Sequence, residues 1–247
     1  RTTACVSSQV GCSLDCKFCA TAKIKRMRNL NADEIFDQVV AIDRQSRLYF
    51  DRPLSNIVFM GMGEPLMNYK NLINAIEKIT QKDGLGMSPS RITVSTSGIP
   101  KIIMKMADDQ VRFGLAVSPH SARQNVRAKL MPFAEKFPLK DLADAIKYWY
   151  DKTEKIVTYE YVVWKGINDS VEDINALLNF CKISPCKVNL IEYNPIGDHQ
   201  FMQAEKNIIK AYEKALEAQR ITVTVRRSRG KDIDAACGQL ANKDMLV

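Results

Sequence analysis

The sequence predicts an α/β fold of parallel strands joined by helices. Short apolar runs rich in β-branched residues recur along the chain. Helical patterns with one apolar face lie between them. No fixed-spacing repeat, low-complexity segment or Gly/Ser linker interrupts the alternation. Strand and helix in turn force parallel strands with right-handed crossovers. About six such units make an incomplete β/α barrel or a doubly wound sheet.

The elements follow in order. Thr3–Gln9 reads as an opening strand. Asn31 can cap a helix, with Glu34 placed to reach back, and Ile35, Val39 and Ile42 then share a face. Asn56–Met60, Arg91–Ser95, Phe113–Val117, Val157–Val163, Lys187–Glu192 and Ile221–Val225 are the further strands. Further helices are marked by Leu72, Ile73, Ile76 and Ile79, by Leu142, Ile146 and Trp149, by Leu177, Leu178 and Cys181, and by Ile208, Tyr212 and Leu216. Working residues in both architectures sit just past the C-terminal ends of strands. The stretches so marked are Gly61–Pro65, Ser95–Gly98, Ser118–His120, Tyr193–Gly197 and Arg226–Cys237.

The 247 residues, 46% hydrophobic, suffice for one large core, so residues 1–247 are expected to form a single domain. No apolar run of membrane-spanning length and no signal peptide is found, which predicts a soluble, cytoplasmic protein with no membrane partner. The formal net charge of +8 favours a polyanionic partner, and nucleic acid is the usual one. Seven cysteines, three of them crowded between Cys12 and Cys19, point to metal binding or catalysis rather than disulfide scaffolding. Two histidines, His120 and His199, are thin for a zinc hydrolase.

Cys12, Cys16 and Cys19 stand in a C-x3-C-x2-C spacing. Three thiolates on one loop can hold three irons of a cubane cluster and leave the fourth without a protein ligand. S-adenosylmethionine (SAM) can chelate that iron through its amino and carboxylate groups. One electron then breaks the S–C5′ bond and gives a 5′-deoxyadenosyl radical. The competing reading is a structural zinc site with Cys5 as fourth ligand, although zinc sites usually pair their cysteines as CxxC.

The resemblance is then close over nearly the whole chain. Phe18 before the last cluster cysteine, Cys5-Val-Ser-Ser-Gln-Val-Gly-Cys12, Phe59-Met-Gly-Met-Gly-Glu-Pro-Leu66, Ser95-Thr-Ser-Gly98, Ile191-Glu-Tyr-Asn-Pro195 and Asp232-Ile-Asp-Ala-Ala-Cys-Gly-Gln-Leu240 carry it. The chain resembles the RlmN/Cfr family of radical SAM RNA methyltransferases. That implies a radical SAM core, a partial (β/α)6-type barrel, with a 4Fe-4S cluster and SAM as cofactors. It implies Cys12, Cys16 and Cys19 as cluster ligands. Gly63 and Glu64 resemble the stretch that holds SAM's amino group, and Ser95, Ser118, His120 and Asn194 match other SAM contacts. Cys237 resembles the cysteine that becomes S-methylated, and Cys5 the partner that later forms a disulfide with it. Cys181 and Cys186 match nothing catalytic and read as small buried hydrophobes.

The RlmN branch methylates C2 of an adenosine in 23S rRNA, and some members also modify tRNA. The Cfr branch methylates C8 of the same rRNA base. Gly-Glu-Pro-Leu and Ser-Thr-Ser-Gly are more similar to RlmN. An electron donor and a disulfide reductant are further expected partners. The chemistry explains the two extra cysteines. Adenine C2 is electron-poor and cannot attack the SAM methyl, whereas a thiolate can. Lys23, Lys25, Arg26 and Arg28 after the cluster loop, and Arg226, Arg227, Arg229 and Lys231 before Cys237, are placed to hold phosphates. The target adenine would have to leave its stack.

Arg1 lies only four residues before Cys5. Family members usually carry a separate N-terminal domain with a proposed base glutamate, and a longer basic C-terminal extension, so a core fragment is expected. Two other classes compete. A radical SAM enzyme acting on a small molecule or protein would have no use for Cys5 and Cys237. A zinc-stabilised RNA-binding module would have no catalytic chemistry.

Overall fold

A computed structural model describes residues 2–24, 26–197, 200–228 and 230–240, apart from the side chain of Lys231. Nine strands and eight α-helices are described. They are β1 (Thr3–Cys5), β2 (Gln9–Val10), α1 (Ala20–Lys23), β3 (Arg28–Asn29), α2 (Ala32–Phe50), β4 (Asn56–Phe59), α3 (Tyr69–Thr80), β5 (Ile92–Thr96), α4 (Pro100–Asp108) and β6 (Gly114–Val117). There follow α5 (Gln124–Leu130), α6 (Leu139–Thr153), β7 (Val157–Val162), α7 (Val171–Cys181), β8 (Cys186–Ile191), α8 (Lys206–Ala218) and β9 (Thr222–Arg226).

Seven strands form one sheet in the order β1-β4-β5-β6-β7-β8-β9, every adjacent pair parallel. A doubly wound sheet reverses direction at a switch point. Here each strand is added beside the last, so the sheet is the half-barrel of the two expected architectures.

Register and alternation sort the side chains. Ala4, Ile57, Phe59, Val94, Leu115, Val117, Tyr159 and Leu190 face the helices and join Ile35, Val39, Leu72, Ile76, Ile79, Leu142, Ile146, Trp149, Leu177, Tyr212 and Leu216 in the main core. The alternate set, including Cys5, Ser95, Glu160, Asn189 and Arg226, lies on the concave face. Cys5 stands opposite Val58, Ser95 opposite Ala116, and Glu160 opposite Asn189.

The single opening strand expected over Thr3–Gln9 is divided. Only Thr3–Cys5 joins the sheet. Val6 still donates to Val58 O at 3.0 Å, then the chain follows the loop after β4, with Ser8 and Gln9 N–H groups on Met62 O. Gln9–Val10 pairs instead, antiparallel, with Arg28–Asn29. This ribbon closes the base of the cysteine loop, a pairing that a local pattern cannot announce. Three helices were not foreseen, the first being the four-residue α1. α4 has nine residues with Pro100 in its first turn, and α5 has seven, too few turns for periodicity to stand out. No helix of the described residues is long and apolar enough to cross a membrane.

The capping box is present. Asn31 Oδ1 accepts from the Glu34 N–H and Glu34 Oε2 accepts from the Asn31 N–H, each at 2.9 Å. Asn31→Ala leaves the Glu34 N–H of α2 without its side-chain acceptor. It should cost about 1 kcal/mol, read as a shift in the urea midpoint with unchanged slope.

Candidate active site

The cysteine loop runs from Gly11 to α1 across the C-terminal ends of the strands. It is held from several directions. Cys12 N–H donates to Ile24 O (3.2 Å), Lys17 N–H to Leu130 O (3.0 Å) and Ala20 N–H to Gly238 O (2.8 Å). Asp15 Oδ1 accepts from the Phe133 N–H at 3.2 Å. Cys12, Cys16 and Cys19 line one cavity together with Phe18, Glu64, Ser97 and His120. All three are free thiols. Burial is the largest cause of the high thiol pKa values there, and the neighbouring thiolates add to it. Cys12 is pushed up to about 11, also by Glu64, while the Leu14 N–H works against the rise; Cys16 is pushed well above its ordinary value. Thiolates crowded this way are stable only with a cationic group among them, which is what a metal cluster supplies.

A second cavity adjoins the first. Gly63, Glu64, Ser95, Ser118, His120, Asn194 and Cys237 all line it, so the strand-end positions marked in the sequence converge. Gly63 has φ of 95°, and a Cβ there would meet Gln9 Cβ at 2.5 Å, so the position requires glycine twice over. Glu64 is buried. Its Oε2 accepts from the Ser97 N–H (2.8 Å) and its Oε1 from the Leu66 N–H (3.1 Å). Burial raises its pKa against these bonds. A carboxylate has further lone pairs, so Glu64 can still receive a ligand's ammonium. Asn194 Nδ2 donates to Cys237 O at 3.0 Å, while buried Asn194 Oδ1 and Trp164 Nε1 have no protein partner. The residues therefore fit the two cofactors. Three thiols face one cavity, and an unpaired acceptor and donor face the next.

His120 is held in the left-handed region, φ 55°, and is buried. Its Nδ1 accepts from the Val162 N–H at 3.3 Å, which leaves the proton on Nε2 in the neutral ring. Phe18 packs edge-on against it with centroids 4.9 Å apart. Burial, then Arg127, hold its pKa down to about 3.

Cys5 and Cys237 are both free and exposed towards the open side. The surrounding protein, then the nearby Cys5 and Cys19 thiolates and Glu160, push Cys237 up to about 12, and Arg226 opposes them. Desolvation by the surrounding protein also raises Cys5, although it keeps an exposed edge, against a backbone bond at Met60 and Arg226. Sequence reasoning missed Glu160, Trp164 and Arg127. Glu160 Oε1 accepts from Asn189 Nδ2 (2.8 Å) and its Oε2 pairs with Arg226 (3.1 Å). An acidic residue inside the apolar run Val157–Val163 was the available signal.

The basic residues divide. Arg28 is forked on Glu34 at 2.7 and 2.8 Å, and Arg226 is tied to Glu160, whereas Arg26 and Arg227 are exposed. Lys25, Arg229 and the Lys231 side chain lie outside the described residues, as does His199. Cys181 ends α7 and is buried. Cys186 opens β8, is only half-buried, and donates to Cys181 O at 3.7 Å.

A half-barrel with a three-thiol loop over its strand ends defines a radical SAM enzyme. The family model described as Radical SAM superfamily matches residues 6–181. A probable dual-specificity RNA methyltransferase RlmN of Christiangramia forsetii is 71% identical over 243 residues, which span 98% of this chain and 69% of that protein. One of the same description from Flavobacterium psychrophilum is 69% identical, over 99% of this chain and 71% of its own. The crystal structure of a radical SAM methyltransferase from Sphaerobacter thermophilus superposes with a TM-score of 0.94 at 41% identity, covering 97% of this chain and 70% of that one. SuiB of Streptococcus suis, bound to S-adenosylmethionine, shares the fold with a TM-score of 0.67 at 14% identity, over 91% of this chain and 50% of its own. The chain belongs to the RlmN family of dual-specificity RNA methyltransferases, whose cofactors are a 4Fe-4S cluster and SAM.

The depressed His120 pKa sets an acid limit on stability. Imidazole charges near 6.5 in the unfolded chain and at about 3 here, so between those values the unfolded state binds more protons. The contribution is full above about 6.5 and is lost as pH falls towards about 3. His120→Asn tolerates the positive φ and removes the titration. The fall in urea midpoint from about pH 7 to about pH 4.5 should be smaller in the variant, and an equal fall would contradict the assignment.

Proposed function

We propose that this chain methylates C2 of an adenosine in 23S rRNA, with tRNA as a second substrate, through S-methylated Cys237 and a transient Cys5–Cys237 disulfide. One observation carries the reading. Cys237, from the segment after β9, lines the same cavity as Glu64, Ser95 and His120 and lies within electrostatic reach of Cys5 at the end of β1. A buried structural thiol would not need such neighbours. The seven-stranded sheet that runs from β1 to β9 supports reading residues 1–247 as one catalytic unit.

Cys12, Cys16 and Cys19 would hold the cluster. Gly63 and Glu64 would receive SAM's amino group, and Ser95, Ser118, the His120 Nε2–H and Asn194 Oδ1 would fix the rest. When bound, the two cofactors supply a transferable methyl group and, with an external electron donor, a hydrogen-abstracting radical. The residues do the remainder. Cys237 loses its thiol proton, which its high pKa resists and the neighbouring Arg226 favours. Its thiolate then takes the methyl group. Once the methyl carbon has lost a hydrogen atom and bonded to C2, the adduct gives up its unpaired electron to the centre that supplied the reducing electron and its C2 proton to a base, and Cys5 thiolate attacks Cys237 sulfur. The sulfur–carbon bond breaks, its electron pair takes up a proton to complete the methyl group, the methylated base leaves, and a reductant restores both thiols. Exposed Arg26 and Arg227 would hold phosphates without reading sequence.

Replacing Cys12, Cys16 or Cys19 with Ala should abolish iron and sulfide loading and 5′-deoxyadenosine production. Full loading in any single variant would overturn the ligand set. Nucleoside mass spectrometry of modified RNA should show 2-methyladenosine, and a mainly C8-methylated product would move the chain to the Cfr reaction.

The two remaining cysteines separate by function. Cys237→Ala should lose S-methylation and every later step. Cys5→Ala should instead accumulate a protein–RNA adduct that survives denaturation and needs reductant, SAM and RNA together. Free methylated RNA from Cys5→Ala at the unsubstituted rate would reverse the assignment.

A further inference from the structure

We infer that Arg127 is a positioning residue with two tasks. It clamps the strand ends beside the cysteine loop, and it places a desolvated positive charge next to the cluster site, favouring the cluster's reduced state. The inference rests on Cys12, Cys16 and Cys19 being the cluster ligands.

Arg127 lies on α5 and is fully buried, at 0% exposure. Its Nη1 donates to Pro119 O at 2.6 Å and to Ser118 O at 3.2 Å, and its Nη2 donates to Ser97 O at 2.7 Å. The guanidinium carbon sits 5.8 Å from the Phe133 ring centroid, and Nε has no partner. None of its bonds among the described residues goes to a carboxylate. A buried cation held by carbonyl dipoles, the Met131 thioether at 3.5 Å and a ring face is costly to keep without an anion, and such charges are normally paired. Its surroundings indicate where the missing anion belongs. Cys16 packs in one cluster with Leu130, Met131 and Phe133, at and just beyond the end of Arg127's helix. The Lys17 N–H on Leu130 O and the Phe133 N–H on Asp15 dock the cysteine loop there. Arg127 and the Cys16 thiolate lie close enough to act on one another's charge.

An iron–sulfur cluster bound by three thiolates is anionic, and reduction adds one more negative charge. Local charge and solvent exclusion set its potential. A water-excluded cation beside it therefore favours the reduced form more than the oxidised one. The fork geometry has a separate purpose. Only a planar guanidinium spans carbonyls from the loops after β5 and β6 at once, and these carry Ser97 and Ser118. Charge and shape can thus be separated by substitution.

The test uses the anaerobically reconstituted protein. The cluster's midpoint potential is read by EPR-monitored redox titration without SAM, and SAM affinity by equilibrium dialysis. Arg127→Gln keeps donors and loses charge, so its midpoint should fall below that of the unsubstituted protein. Arg127→Lys keeps charge and loses the fork, so its midpoint should hold while SAM affinity falls several-fold. A loaded Gln variant with an unchanged midpoint would overturn the inference. Should Gln fail to load, Lys decides alone, and a lowered midpoint with unchanged SAM affinity is the overturning result. Failure of the ligand assignment looks different, because Cys16→Ala would then load iron and sulfide as fully as the unsubstituted protein.

Discussion

The strands of the sheet run parallel and in chain order, and that constraint organises the rest of the molecule. Every helix must carry the chain back to the same end, so every loop that leaves a strand leaves at the other. Gly63, Ser97, Ser118, Asn194 and Cys237 come from five different connections, yet all line one pair of adjoining cavities. The sheet does not close on itself. β1 and β9 are its two edges, and they carry Cys5 and Arg226 on the concave face. The open side is therefore where the thiol pair lies, and a base too large to enter a closed barrel could reach it there.

Exclusion of water decides the state of the polar groups around these cavities. His120, Glu64 and Arg127 are all buried, and burial acts on each in the direction that disfavours charge. The outcomes differ because the partners differ. His120 has one N–H donor on Nδ1 and no carboxylate, so it stays neutral and keeps a donor on Nε2. Glu64 is compensated by two backbone N–H groups, from separate loops. Arg127 keeps its charge, although its pKa is lowered to about 10, because three carbonyls accept from it and Cys16 lies near. Neutral donor, compensated acceptor and retained cation are thus set around one cavity by partner chemistry.

Much of this was legible in the sequence, for identifiable reasons. Buried parallel strands are near-continuous apolar runs, so β4 to β8 were placed to within a residue or so at each end, and the exposed edge strand β9 was marked by its alternating valines. The capping box of α2 is local and was read directly from Asn31 and Glu34. What escaped depends on distant partners. Gln9–Val10 looks like a continuation of β1, and only Arg28–Asn29 makes it a ribbon. Arg127 resembles any surface arginine on a short helix until the loops after β5 and β6 fold over it. Arg28 looked free to hold a phosphate but is engaged by Glu34. The positions expected to contact SAM could be marked because strand ends follow the apolar runs, and the structure gathers them in one cavity, whereas Glu160 lies inside a run.

Cys5 and Cys237 are held in different ways, and the difference matches the order of the tasks proposed for them. Cys5 ends a strand, in register with Val58, and the next residue is still bonded to β4. Its position is fixed by the sheet. Cys237 has no strand beneath it. Its segment hangs on separate contacts, namely Asn194 Nδ2 on Cys237 O, Ala20 N–H on Gly238 O, Gln239 Nε2 on Pro195 O and Thr21 Oγ1 on Leu240 O. Two of these reach α1, directly after Cys19, and two reach the loop after β8. A nucleophile that must take a methyl group, carry it to a base and then be attacked needs a support that can shift by small amounts without unfolding the sheet. A resolving thiol that acts once, at the end, gains from a fixed position. The sheet edge supplies the fixed thiol, and the hydrogen-bonded segment over the cluster loop supplies the adjustable one.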